Sequence, residues 1–206
     1  MNGRSLLFNC YPMQQLKDFN IGIKKRIGKS IDMRMGEPLS PSFFRKDALE
    51  LASQFPGFVL CRRFDDGQVW RATITEIEVY RGEEDLGCHA SKGRTPRTET
   101  MYHAGGCLYV YLVYGMYWLL NVVTGEAGSP QAILIRAVDG IYGPGRLGRF
   151  LQLDKSFYGQ SLHEGQSLWI EYGTSSAEVN HFPRIGIDYA GEPWKSIAWR
   201  FSTYSK

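Results

Sequence analysis

The stretch QVWRATITEIEVYRG, residues 68–82, decides the fold class. It is rich in β-branched and aromatic residues and alternates polar with apolar side chains, the period-2 signature of a half-buried strand. Alternation places Glu76, Glu78 and Tyr80 on one face and Ile77 and Val79 on the other. Upstream, FVLCRRF (58–64) and Asp-Asp-Gly (65–67) complete a unit of strand, hairpin turn and strand, because Asp-Gly tolerates the positive φ of a tight turn. On this reading alone the Glu76/Glu78 face is either a solvated strand face or a surface on which a carboxylate does chemistry.

Working outward, CLYVYLVY (107–114), a Tyr-Gly break and MYWLLNVVTG (116–125) read as a second strand, turn and strand. QAILIRAV (131–138) is a buried-type strand, GPGRLGRFLQL (143–153) opens a short helix, and SLWIEYG (167–173) and PWKSIAWRFS (193–202) add strand-like pieces. In SPSFFRKDALELASQF (40–55), Ser42 is expected to cap a short helix whose apolar stripe is Leu49, Ala52 and Phe55, stopped by Pro56-Gly57. Strands outnumber helices without a regular βαβ alternation. The expectation is a mixed α/β (α+β) single domain over residues 39–206, with a largely antiparallel curved β-sheet, flanking short helices and a protruding β-hairpin. Residues 1–38 carry seven basic against three acidic side chains and no hydrophobic period. They read as a basic, flexible N-terminal extension, or as sequence outside the natural protein if Met33 or Met35 is the true start.

A chain of 206 residues can bury one sizeable core or at most two small ones. Its 43% hydrophobic and 22% charged content is that of an ordinary globular protein, and no run reaches the roughly eighteen apolar residues of a membrane span. The N-terminus lacks a basic region followed by an apolar one, so a soluble intracellular protein is expected. Cys10, Cys61, Cys88 and Cys107 are scattered and read as free thiols. A net charge of +3, concentrated in the first 38 residues, does not by itself argue for nucleic acid; the local patch KGRTPR (92–97) is the best basic candidate beyond them.

The run ITEIEVYRGEEDLGCHASKGRTPRTETMYHAGGCLYVYLVYGMYWLLNVV strongly resembles the alkyladenine (3-methyladenine, alkylpurine) DNA glycosylase family. The resemblance continues through AILIRAV, GPGRLGRFLQLDKSF and RIGIDYAGEPW and covers roughly residues 43–201. It implies a monofunctional DNA repair hydrolase that needs no cofactor and no metal. Its partner would be double-stranded DNA containing damaged purines, with no membrane involved and the protein a monomer. Such an enzyme flips the damaged nucleotide from the duplex, because C1′ is hidden inside the stack, and hydrolyses the N-glycosidic bond without a lyase step. Its place would be the cytoplasm, at the nucleoid, in a bacterium, or the nucleus in a eukaryote. The alternative is a catalytically inactive nucleic-acid-binding protein on the same scaffold.

By the same resemblance Glu78 is the acid that activates water and offsets an oxocarbenium-like charge, while Glu76 has no assigned chemistry. Tyr80, His89 and Tyr111 match the set that sandwiches the base; stacking contributes about 1–3 kcal/mol per base, and a purine alkylated at N3 or N7 adds cation–π attraction. Asn121 matches a pocket asparagine that crowds normal guanine, and Arg136 an arginine near the reacting sugar. Tyr114, just before Gly115, matches the residue that intercalates into the gap. Lys92, Arg94 and Arg97 are candidate backbone contacts. Each has a plainer reading. His89 could join Cys88, His103 and Cys107 around zinc, Tyr111 could be a core aromatic, and Tyr114-Gly115 could simply be a turn. Arg136 could form a structural ion pair, the basic loop could merely be solvated, and GPGRLGR could either bind phosphate or only start a helix. Leu86-Gly87 and Pro56 depart from the family pattern and put local geometry in doubt.

Overall fold

The computed structural model describes residues 34–163, 165–174 and 178–204. The expected extension thus lies largely outside the described residues. Of its last five, Gly36 N–H donates to Tyr172 C=O (2.8 Å), Pro38 bridges Glu171, and Arg34 Nη1 reaches Tyr172 Oη (3.2 Å).

Among the described residues nine strands form one antiparallel sheet: β1 (Val59–Arg63), β2 (Val69–Arg81), β3 (Leu108–Val113), β4 (Tyr117–Val123), β5 (Gln131–Val138), β6 (Ile141–Tyr142), β7 (Leu168–Glu171), β8 (Asn180–Phe182) and β9 (Arg200–Ser202). The main order is β3-β4-β5-β2-β1-β7, with β6 on β5 and β8 on β9, which in turn pairs with β2. Strand β2 organises the sheet by changing partners along its length. Its first half, Val69–Thr73, pairs with β1, and its second half lies between β5 and β9. The exchange occurs at register shifts flanking Glu76, where bulges increase local twist and re-aim side chains. The sheet is therefore curled, as expected, and the acidic part of β2 sits inside it.

Ile77 and Val79 enter the main core with Phe44, Leu51, Leu60, Ile133 and Ile135, all fully buried. The Asp65–Gly67 turn closes β1–β2 through Gly67 N–H to Phe64 C=O (2.9 Å), with Gly67 at φ 83°. The expected N-terminal helix is corrected in form: a 3-10 turn spans Pro41–Arg45, and the α-helix is only α1 (Ala48–Ala52). Asp47 caps it by accepting from Leu49 N–H (2.9 Å), and Ser42, the expected cap, lies inside the preceding turn. Helix α2 (Pro144–Phe150) packs on β4 so closely that a Cβ at Gly148 would collide with the Trp118 carbonyl. Gly145, against Tyr117, and Gly148 thus serve contact with the sheet, whereas Gly143 supplies a positive φ of 94° ahead of the helix. In PWKSIAWRFS only the last residues form a strand, β9. Cys61, Cys88 and Cys107 are buried free thiols, and among the described residues no helix is long and apolar enough to cross a membrane.

Candidate active site

A cavity of about 360 Å³ opens on one side of the sheet. Its lining draws Tyr80 from β2, Tyr109 and Tyr111 from β3, Asn121 from β4, Leu134 and Arg136 from β5, and His89 from the loop after β2. Tyr114 of the β3–β4 hairpin and the backbone of Ile185–Ile187 complete the rim. The volume lies in the usual range for a small-molecule site, and Tyr80, His89, Tyr109, Tyr111 and Tyr189 give the wall an aromatic cluster.

Glu78 is the most constrained acid of the site. Its side chain is 0% exposed, behind Tyr80 and Arg136, so the solvated-face reading fails. Oε2 accepts from the Tyr80 hydroxyl (2.8 Å), and Oε1 from the Ile185 N–H (2.7 Å) with Arg136 Nη1 at 3.2 Å. Burial pushes the carboxyl above its ordinary pKa, opposed by Arg136 and the two hydrogen bonds. Arg136 itself is buried, which would lower its pKa, but Glu78 and Glu76 outweigh this and hold it protonated. Glu76 accepts from Arg136 Nε (2.7 Å) and lies 3.6 Å from Arg200 Nη1. Glu76, without a role in sequence, therefore anchors Arg136; the structural ion pair and the position beside Glu78 are one arrangement. The register shift between Glu76 and Ile77, where β5 skips Arg136, lets this guanidinium reach both acids.

His89 and Tyr111 pack edge to face with centroids 4.5 Å apart. His89 Nδ1 lies 2.7 Å from the Tyr109 hydroxyl. Burial, aided by the nearby Arg97 charge, lowers the His89 pKa to about 4, so the ring is neutral at physiological pH. Asn121 is buried, and its Nδ2 donates to Tyr109 C=O (3.0 Å). At the hairpin tip Tyr114 is 87% exposed and adopts φ 52°, followed by Gly115 at φ 68°, with Met116 N–H donating to Val113 C=O (3.1 Å). A bulky non-glycine residue in this region is strained, and such outliers gather at functional positions.

The basic loop divides. Lys92 is exposed, and Arg94 is held by Glu99 through two bonds of 2.6 and 2.8 Å. Arg97 stands with its guanidinium carbon 5.7 Å from the Tyr111 ring centroid, behind the cavity wall. The four donors considered for zinc do not converge. His103 pairs with Glu99 (3.5 Å), the Cys107 thiol faces Thr100 and Ala104 carbonyls, and among the described residues no three His, Cys, Asp or Glu side chains could hold a metal ion.

Sequence reasoning missed Tyr109, although alternation in LYVYLVY puts it on the Tyr111 face. It also missed Ile185, whose contribution is a backbone N–H, and the buried pair Asp85–Arg184, joined at 2.6 and 2.8 Å across 99 residues of chain. RIGIDYAGEPW contains two of these residues, but nothing in it signals a partner.

The family profile described as methylpurine-DNA glycosylase matches residues 42–142 and 139–206. A Psychrobacter cryohalolentis protein, assigned by name as a 3-methyladenine DNA glycosylase, is 40% identical over 183 residues, 75% of this chain and 86% of that protein. A Myxococcus xanthus protein with the same assignment is 42% identical over 173 residues, 79% of this chain and 88% of its own length. The DNA-3-methyladenine glycosylase of Mus musculus is 37% identical over 196 residues, covering 79% of this chain and 58% of the mouse protein. With matches of this extent, the chain belongs to the methylpurine-DNA glycosylase family.

Proposed function

We propose that the protein is a monofunctional DNA repair glycosylase, acting as a monomer on alkylated or deaminated purines in duplex DNA. The observation that carries this reading is Glu78: a carboxylate buried directly behind the cavity wall and held by three residues of that wall, Tyr80, Ile185 and Arg136. In the reaction a water oxygen bonds to C1′, the N-glycosidic bond breaks, and its electron pair leaves with the purine, so that a cationic alkylpurine departs neutral while a neutral deaminated purine takes up a proton from solvent as it leaves. Glu78 takes the water proton and faces the positive charge that builds on the sugar. Arg136 orients the carboxylate and the water. Tyr80, Tyr111 and His89 hold the flipped base, and a neutral His89 stacks on a cationic purine without repelling it. Tyr114 fills the vacated stack, at an unstacking cost of about a few kcal/mol that its contacts offset. Asn121 crowds the exocyclic amine of guanine, and Lys92, Arg94 and Arg97 support the phosphates.

A lyase step would require an amine nucleophile at the sugar. Among the described residues none that lines the cavity is a lysine, and the reading adopted is simple hydrolysis. The test is incubation with duplexes carrying 3-methyladenine or hypoxanthine. The expected result is free base and an abasic, uncut strand that breaks only on alkaline treatment. Strand scission without alkali would refute the monofunctional reading, and no base release from any lesion duplex would refute the activity.

A further inference from the structure

We infer that the buried Asp85–Arg184 pair is a positioning unit for base excision, fixing the Pro183–Ile187 segment so that the Ile185 N–H holds the Glu78 carboxylate. The inference rests on the glycosylase reading above and adds residues to it. Both side chains are fully buried and paired in a fork, Nη1–Oδ2 at 2.6 Å and Nη2–Oδ1 at 2.8 Å. The pair ties together three parts of the cavity. On β2, Arg184 Nη1 donates to Val79 C=O (2.9 Å), and the guanidinium carbon lies 4.8 Å from the Tyr80 ring centroid. In the loop carrying His89, Asp85 accepts from Gly87 N–H (2.9 Å). In the third part Arg184 is itself the neighbour of Ile185, whose N–H is 2.7 Å from Glu78 Oε1. Trp199 stacks on the guanidinium at 5.1 Å.

One general argument and one observation separate this from a mere internal strut. A buried ion pair is weak evidence for stability, since well-packed apolar groups of similar volume are often at least as stabilising. Its geometry, by contrast, is demanding, and the chain accommodates it: a Cβ at Gly87 would come within 3.0 Å of Arg184 Nη2 and 3.2 Å of Asp85 Oδ1. The fork therefore closes against a residue without a side chain, at the point where the loop meets the cavity.

The charged and titratable groups around Glu78 are Arg136 from β5, Glu76 and Tyr80 from β2, Arg200 from β9, Tyr111 from β3, and Arg184 itself. Loosening Ile185 removes a hydrogen bond that favours the ionised carboxylate, so the acid limb of the excision profile moves to higher pH. The experiment compares wild type, Arg184→Lys, and the double variant Asp85→Leu/Arg184→Met, which removes both charges together. Single-turnover base release across the acid and neutral range, affinity for a duplex containing an abasic-site analogue, and the unfolding midpoint are measured for each. The double variant is expected to stay folded with duplex affinity retained, while release falls by about 10- to 100-fold, as sub-ångström to 1 Å misplacement produces, and the limb shifts upward. Should the double variant not fold, Arg184→Lys carries the same readouts. Wild-type release rate and limb in a folded variant would overturn the inference, as would a fall in rate that tracks duplex affinity at every pH with the limb unmoved. Absence of release by the wild type would instead refute the glycosylase reading itself.

Discussion

Replacing Glu78 by glutamine tests the proposed chemistry with little disturbance of the fold. Glutamine keeps the size of the side chain and a carbonyl oxygen able to accept from the Ile185 N–H, now 2.7 Å from Oε1. Arg136 retains its 2.7 Å bond to Glu76, so the substitution leaves no guanidinium without a partner. What disappears is the proposed base. General base catalysis contributes about 10²- to 10⁴-fold, which corresponds to about 3–5 kcal/mol of transition-state stabilisation. Single-turnover release from a 3-methyladenine duplex should fall by at least that factor while affinity for the same duplex persists.

The stability of this variant carries a sign of its own. Burial raises the Glu78 carboxyl above its ordinary pKa of 4.5. A group raised in the folded state contributes its full stability below the unfolded pKa and loses it as pH rises through the folded pKa. Ionised Glu78 therefore weighs against folding at neutral pH, and Glu78→Gln should melt at or above the wild-type temperature there, with the difference shrinking below about pH 4. Wild-type release is expected to show an acid limb above the ordinary carboxylate range, and the residual activity of the variant none. Release within tenfold of wild type would refute the catalytic assignment, and a large loss of melting temperature at neutral pH would show that the charge is structural.

Other substitutions probe separate parts of the site. Tyr80→Phe keeps the ring but removes the 2.8 Å hydrogen bond that favours the Glu78 carboxylate, so the acid limb should move to higher pH with duplex affinity unchanged; an unmoved limb would refute the link. Tyr114→Asn relieves a left-handed backbone position that costs a bulky residue about 1–2 kcal/mol and gives the Asn-Gly pair favoured in tight hairpins. Thermal unfolding should show a gain of about 1 kcal/mol, while release from duplex falls more than release from a single strand. Gly148→Ala places a methyl against the Trp118 carbonyl and should destabilise by about 1–3 kcal/mol in urea unfolding.

Legibility differed between fold and site for physical reasons. Alternation in β2, the Asp-Gly turn and the two long hairpins are local signals, and the structure repeats them with small shifts of boundary. The error at Ser42 was also local: the cap is Asp47, five residues on, whose carboxylate reaches Leu49 N–H while Ser42 is taken into the 3-10 turn. Period-2 patterning put Glu76, Glu78 and Tyr80 together but could not tell a wet face from a sealed one. What seals it is β5 and the segment at Ile185, which are remote in sequence. Glu76 looked idle because its partner, Arg136, is sixty residues away and its reach depends on a register shift that no composition reveals. Asp85 and Arg184 were silent for the same reason.

The placement of charge gives the clearest physical link between this fold and the proposed excision of a cationic base. Arg136 is already shared between Glu76 and Glu78, with Arg200 near Glu76, so these acids and guanidiniums largely balance before any substrate arrives. His89 adds no positive charge, since burial and Arg97 keep it neutral. Arg184, lying against Tyr80, is neutralised by Asp85 within the protein. In the proposed reaction a purine bearing a positive charge would thus meet guanidiniums, Arg136 and Arg184, that are already paired with acids. As the bond to C1′ breaks, that charge passes from the base to the sugar, and the base leaves neutral. A carboxylate fixed by three donors needs little reorganisation to meet the new charge, which is where preorganised electrostatics contributes most. In the proposed reaction the walls would therefore bind the ground-state cation by stacking while Glu78 would act on the charge that appears only in the transition state, a separation that would raise the rate as well as the affinity.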